Sequence, residues 1–113
     1  MQTARGLATL QNVFKVPLLR RKLSAAARDL GHTDARVRLE AIRDLRAPGA
    51  EGERAERIAV LLPALADTVP DVKKEALLAL AEHEAQEALA AIFALLTDGD
   101  LGVRSIATLA LGE

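Results

Sequence analysis

The chain reads as all-α: an α-α superhelix of about three helical hairpins behind an N-terminal capping helix. Three observations predict this. Half of the 113 residues are hydrophobic, but only Phe14 and Phe93 are aromatic. Ala and Leu carry the apolar content, and both favour helix. The β-branched and aromatic runs that mark strands are missing. Finally, one pattern is written three times: HTDARVRLEAIRDL (His32–Leu45), DTVPDVKKEALLAL (Asp67–Leu80) and DGDLGVRSIATLAL (Asp98–Leu111).

Taken in order, residues 1–15 place Leu7, Leu10 and Phe14 at helical spacing and predict the capping helix. A first repeat is expected over 17–46. Its first helix, Pro17–Gly31, has Leu19, Leu23, Ala26, Ala27 and Leu30 as its apolar side, and Gly31 is a plausible stop. RAPGAEGE (Arg46–Glu53) holds Pro48, Gly49 and Gly52 and predicts a surface loop. A second repeat is expected over 53–83, with Ile58, Leu61, Leu62 and Leu65 buried. Pro63 should kink or break that first helix, because interior proline removes a backbone hydrogen bond. The third repeat, 85–111, begins with Leu89, Ile92, Phe93 and Leu96.

The three copies align on Val37, Val72 and Val103, at intervals of 35 and 31 residues. A basic residue follows each Val: Arg38, Lys73, Arg104. An alanine stands four after it (Ala41, Ala76, Ala107) and a leucine eight after (Leu45, Leu80, Leu111). Spacings of four place Val, Ala and Leu on one helix face, and the Ala permits close helix approach. Enlarging it would overpack the contact, at about 1–3 kcal/mol. Asp34 and Asp100 are expected N-caps, and Pro70 suits a first helical turn. The basic residue after Val can reach an Asp of its own turn or of the adjacent repeat.

The pattern D-x-D-x-x-V-R-x-x-A-x-x-x-L in DGDLGVRSIATLAL resembles the HEAT repeat, in its short bacterial form, and the resemblance covers about residues 17–111. It implies an α-solenoid of stacked antiparallel helix pairs, with the second helices lining a concave face. Three repeats are about the minimum for a continuous core. The resemblance further implies binding rather than catalysis, so no enzymatic activity is expected.

Chemistry-bearing motifs are scarce. Cysteine is absent, which excludes disulfides and zinc–thiolate sites and suits a cytoplasmic location. The N-terminus reads as a poor signal peptide and lacks the glycine that myristoylation needs at position 2, and the apolar runs fall short of membrane length. DGDLG superficially matches a calcium loop, but Leu109 stands where the bidentate Glu belongs. His32 and His83 lack ligand spacing. His32 is expected to cap a turn and His83 to sit at a solvated helix end. No metal and no cofactor is expected.

Binding is the better expectation. The candidate partner surface is Arg36, Glu40 and Arg43, then Lys73, Lys74 and Glu75, then Arg104, Ser105 and Thr108, with another protein as the partner. For Arg38, Lys73 and Arg104 the competing role is an internal ladder. A second candidate interface is the C-terminal face, Ile106, Leu109 and Leu111, open to a partner, a second copy, or more of a longer array. Charge divides unevenly: residues 1–46 hold ten Lys/Arg against four Asp/Glu, and residues 47–113 hold five against twelve. DNA-backbone binding through Lys15, Arg20, Arg21, Lys22, Arg28, Arg36, Arg38 and Arg43 is the alternative. The acidic second half and the lack of stacking aromatics weigh against nucleic acid.

Overall fold

The computed structural model describes residues 23–47, 49 and 52–112. The expected capping helix, Pro17, Leu19 and the Arg20–Lys22 cluster lie outside them. Among the described residues there is helix and no strand. Six α-helices follow in order: α1 (Leu23–Asp29), α2 (Ala35–Arg46), α3 (Arg54–Leu61), α4 (Pro70–Glu82), α5 (Leu89–Ala94) and α6 (Leu101–Gly112). They pair as α1 with α2, α3 with α4, and α5 with α6. The second helices form one row, α2 on α4 and α4 on α6, and this row carries most of the packing between hairpins.

The repeated residues build that row. Ala41, Ala76 and Ala107 are fully buried, as are Val72 and Val103. Methyl-sized side chains at these points let one helix backbone approach the next. Ile42, Leu77 and Leu80 are fully buried beside them. Each such burial is worth about 1.5–3 kcal/mol relative to exposure.

Caps set the helix starts. The Asp34 carboxylate accepts from the Arg36 N–H at 2.9 Å, and Asp100 accepts from the Val103 N–H at 3.0 Å. Pro70 occupies the first turn of α4, where its missing N–H has no helical partner to lose. The first helix of the second hairpin does change at Pro63: α3 ends at Leu61 and continues as a 3₁₀ segment, Leu62–Ala66. Proline is not the whole cause. The third hairpin makes the same change at Leu95–Thr97 without one. Both segments bend the chain into the turn that begins the second helix.

Gly31 follows α1 without the left-handed conformation of a glycine stop; among the described residues the positive-φ glycines are Gly49 and Gly52. They belong to the predicted loop, which packs on Arg57. Arg57 is 3% exposed. Its guanidinium donates to the carbonyls of Asp44 and Ala47, each at 3.1 Å, and to Glu53 Oε1. Gly49, at φ 73°, lies against that guanidinium so closely that a methyl group there would overlap it. The third hairpin carries Ala88 at the matching position, under a shorter connection.

Candidate interaction surface

Three turns, one per hairpin, share a hydrogen-bonding scheme. The residue five before each Val uses its side chain to hold the backbone N–H two residues on. His32 Nδ1 accepts from Asp34 at 2.9 Å, Asp67 Oδ1 from Val69 at 2.9 Å, and Asp98 Oδ2 from Asp100 at 3.0 Å. His32 is thus a turn residue, holding the chain as the aspartates do but without a carboxylate.

The basic residue after each Val then reaches forward. Arg38 forks onto Asp67, Nε to Oδ2 at 2.9 Å and Nη2 to Oδ1 at 3.1 Å. Lys73 reaches Asp98 Oδ1 at 2.6 Å. Each pair joins one hairpin to the next, and the side chains are only 11–19% exposed. Partial burial separates both rungs from ordinary surface pairs, and the Arg38 rung is bidentate as well. Arginine also reaches backward: Arg38 Nη1 donates to the His32 carbonyl and Arg104 Nη1 to the Asp98 carbonyl, both at 2.7 Å. Lysine offers one charged centre where arginine has a planar fork. The Lys73 hydrogen bond pulls the Asp98 carboxyl below its ordinary range, helped by the Asp100 N–H.

The residues expected to face a partner therefore divide. Lys73 and Arg104 are half-buried; Lys73 belongs to the ladder, and Arg104 makes only the backward bond to the Asp98 carbonyl. Glu75 is half-buried between Arg43 at 3.7 Å and Arg46 at 3.5 Å. Lys74 pairs with Asp71 at 3.1 Å. Arg36, Glu40, Arg43, Ser105 and Thr108 are exposed, with Arg43 turned onto Glu40 at 3.1 Å. Thr108 donates to the Arg104 carbonyl at 2.9 Å. Of Ile106, Leu109 and Leu111, only Leu109 is exposed; the other two pack partly against the core.

A different feature of the surface is apolar. The large hydrophobic residues exposed among the described residues are Leu89, Phe93, Leu101 and Leu109, all on the third hairpin. In the 31-residue register Leu89 matches Ile58, yet Leu89 is 47% exposed and Ile58 only 2%. Phe93 matches Leu62, which packs partly against the core, but Phe93 is 66% exposed. Beside Leu89 a groove of ≈ 180 Å³ runs between Leu80, Ile92 and Ala110.

A family model described as HEAT repeats matches residues 58–113, about half of the chain. The chain belongs to the HEAT-repeat family. Neither a curated protein nor a solved structure matches it. The matched HEAT residues include the second and third copies of the pattern. The first copy lies outside the match, but α2 packs on α4 as α4 packs on α6.

Some contacts of these HEAT hairpins were missed by sequence reasoning. Arg46 donates to Glu82 at 2.6 Å, and this bond holds the Glu82 carboxyl below its ordinary range. Arg54 donates to the carbonyls of His83 and Glu84, satisfying the end of α4. His83 is not simply solvated: its Nε2 lies 2.7 Å from the Leu45 carbonyl and must carry the proton there. Arg57 did leave a signal, since 57 and 61 share a helix face with buried Leu61. No described helix is long and apolar enough to cross a membrane.

Proposed function

We propose that this chain is a non-catalytic protein-binding module, and that its partner docks on the third hairpin. The observation that carries the reading is the confinement of exposed Leu89, Phe93, Leu101 and Leu109 to that hairpin. Apolar groups gathered on one part of a surface mark an interaction site, whereas scattered ones do not. The exposed Ser105, Thr108 and Arg36 supply polar contacts near and along the row of second helices. The ladder residues Arg38 and Lys73 contribute through the shape they hold, since their charges face Asp67 and Asp98. Nucleic-acid binding gains no support, because Arg38, Arg43, Arg46, Arg54 and Arg57 all sit against carboxylates or carbonyls of their own chain.

Site-specific photo-crosslinking in the native host tests the reading. A photoreactive residue replacing Leu109 or Phe93 should yield a discrete protein adduct, and one replacing exposed Glu56 on α3 should not. Absence of adducts at Leu109 and Phe93, or the same adducts from Glu56, would contradict it.

A further inference from the structure

The uneven division of charge falls across one junction. α2 brings Arg38, Arg43 and Arg46 to the second hairpin, which answers with Asp67, Glu75 and Glu82. Carbonyls at the end of α2 are held from across the same junction: Asp44 and Ala47 accept from Arg57 at 3.1 Å, and Leu45 from His83 Nε2 at 2.7 Å. The next junction is built differently. In the 35-residue register Leu78 and Ala81 stand on α4 where Arg43 and Arg46 stand on α2. In the 31-residue register Ile106, packed partly against the core, stands on α6 where Glu75 stands on α4. Among the described residues the ion pairs of that junction are Lys73–Asp98 and Arg54–Glu87, at 2.6 and 3.5 Å.

Both junctions share the buried alanine row, so the difference lies beside it. Parting α4 from α6 there uncovers apolar side chains, which water hydrates poorly. Parting α2 from α4 uncovers charged groups that are already 20–54% exposed, and water takes them up readily. Glu75 Oε2 is shielded between Arg43 and Arg46 and accepts no hydrogen bond among the described residues, an acceptor that opening would satisfy. We propose that the junction between the first and second hairpins is an electrostatic hinge, which loosens as ionic strength rises while the second and third hairpins stay together. Screening is the trigger: the Debye length falls from about 10 Å at 0.1 M salt to about 3 Å at 1 M. Arg43, Arg46, Glu75 and Glu82 feel that change. Arg38–Asp67, at 11–13% exposure, is screened less and serves as the pivot. Opening the hinge bends the row of second helices at one place and moves Arg36, Glu40 and Arg43 relative to the third hairpin.

Hydrogen exchange of the full chain in about 0.05 M and about 1 M NaCl tests the hinge. Amides of α2 should exchange about tenfold faster at the higher salt, and those of α6 by less than about twofold. Glu82→Gln should speed α2 exchange at low salt by about threefold and shrink the salt response. A second variant gives the first junction the apolar pattern of the second: Arg43→Leu, Arg46→Ala and Glu75→Ile together. Its α2 amides should be protected to the same extent at both salt concentrations. Equal acceleration of α2 and α6 would overturn the proposal, because the three hairpins would then open as one unit. No acceleration in either helix would also overturn it, as would an undiminished salt response in Glu82→Gln or in the apolar variant.

Discussion

The Arg38 guanidinium grips the Asp67 carboxylate with two hydrogen bonds, at 2.9 and 3.1 Å, across 29 residues of sequence. The same carboxylate holds the Val69 N–H at 2.9 Å. One aspartate thus shapes its own turn and fastens it to the hairpin before. Denaturant unfolding of Arg38→Gln, Asp67→Asn and the double variant should show coupling of about 1–2 kcal/mol, as expected for a partly buried charge-assisted pair. Asp67→Asn should be the costlier single change, because it weakens the turn as well.

Arg57 should matter more than any exposed arginine. It leaves three partners behind, the Asp44 and Ala47 carbonyls and Glu53, when it is removed. Arg57→Met should lower stability by about 2 kcal/mol, since three part-buried acceptors each lose one donor. Gly49→Ala should also destabilise, through its positive φ and its overlap with the guanidinium. Gly52→Ala shares the positive φ but meets open space, so thermal unfolding should show the smaller loss.

Much of this architecture was legible because it repeats. Val37, Val72 and Val103 aligned the hairpins, and Ala41, Ala76 and Ala107 marked the close approach of their helices. The basic residue after Val had two possible partners on paper, its own turn or its neighbour's. Arg38 takes the neighbour's Asp67 and meets its own turn through the His32 and Thr33 carbonyls rather than through an Asp, which only the stacking distance between hairpins could decide. Arg46–Glu82 and His83–Leu45 span 36 and 38 residues and depend on how α2 and α4 lie together. No local spacing encodes such pairs. Phe93 shows the opposite limit: its helical spacing reads as core, and what exposes it is the absence of a described element over it.

Acid should loosen the hairpin stack. The Asp98 and Glu82 carboxyls are held below their ordinary range by Lys73 and Arg46, the largest cause in each case. A depressed folded-state pKa contributes stability that is present above the unfolded value and lost as pH falls through the folded one. Tm should therefore be flat near neutrality and fall as pH drops below about 4, the ordinary carboxylate range. Asp98→Asn should start from a lower Tm and decline less steeply over that interval.

The exposed apolar side chains should be dispensable for folding. Phe93→Ser and Leu109→Ser remove groups that are 66% and 69% exposed. Each should change stability by no more than about 0.5 kcal/mol, as surface substitutions do. Hydrophobic-dye binding should fall in both. Ile92→Ser, buried on the same helix as Phe93, should instead lower stability by about 2 kcal/mol or more through lost burial and a stranded hydroxyl.

The forward rung, not the backward bond, is the repeated polar contact that joins successive hairpins beside their apolar packing. Arg38 and Arg104 make the same 2.7 Å backward bond; Arg38 adds a longer one to the Thr33 carbonyl, at 3.1 Å, and the rung. Denaturant unfolding of Arg38→Gln and Arg104→Gln, measured side by side on the full chain, separates the two contributions. A loss of about 2 kcal/mol for Arg38→Gln against under about 1 kcal/mol for Arg104→Gln is the predicted result. Equal losses would contradict it, and would assign the stabilisation to the turn itself.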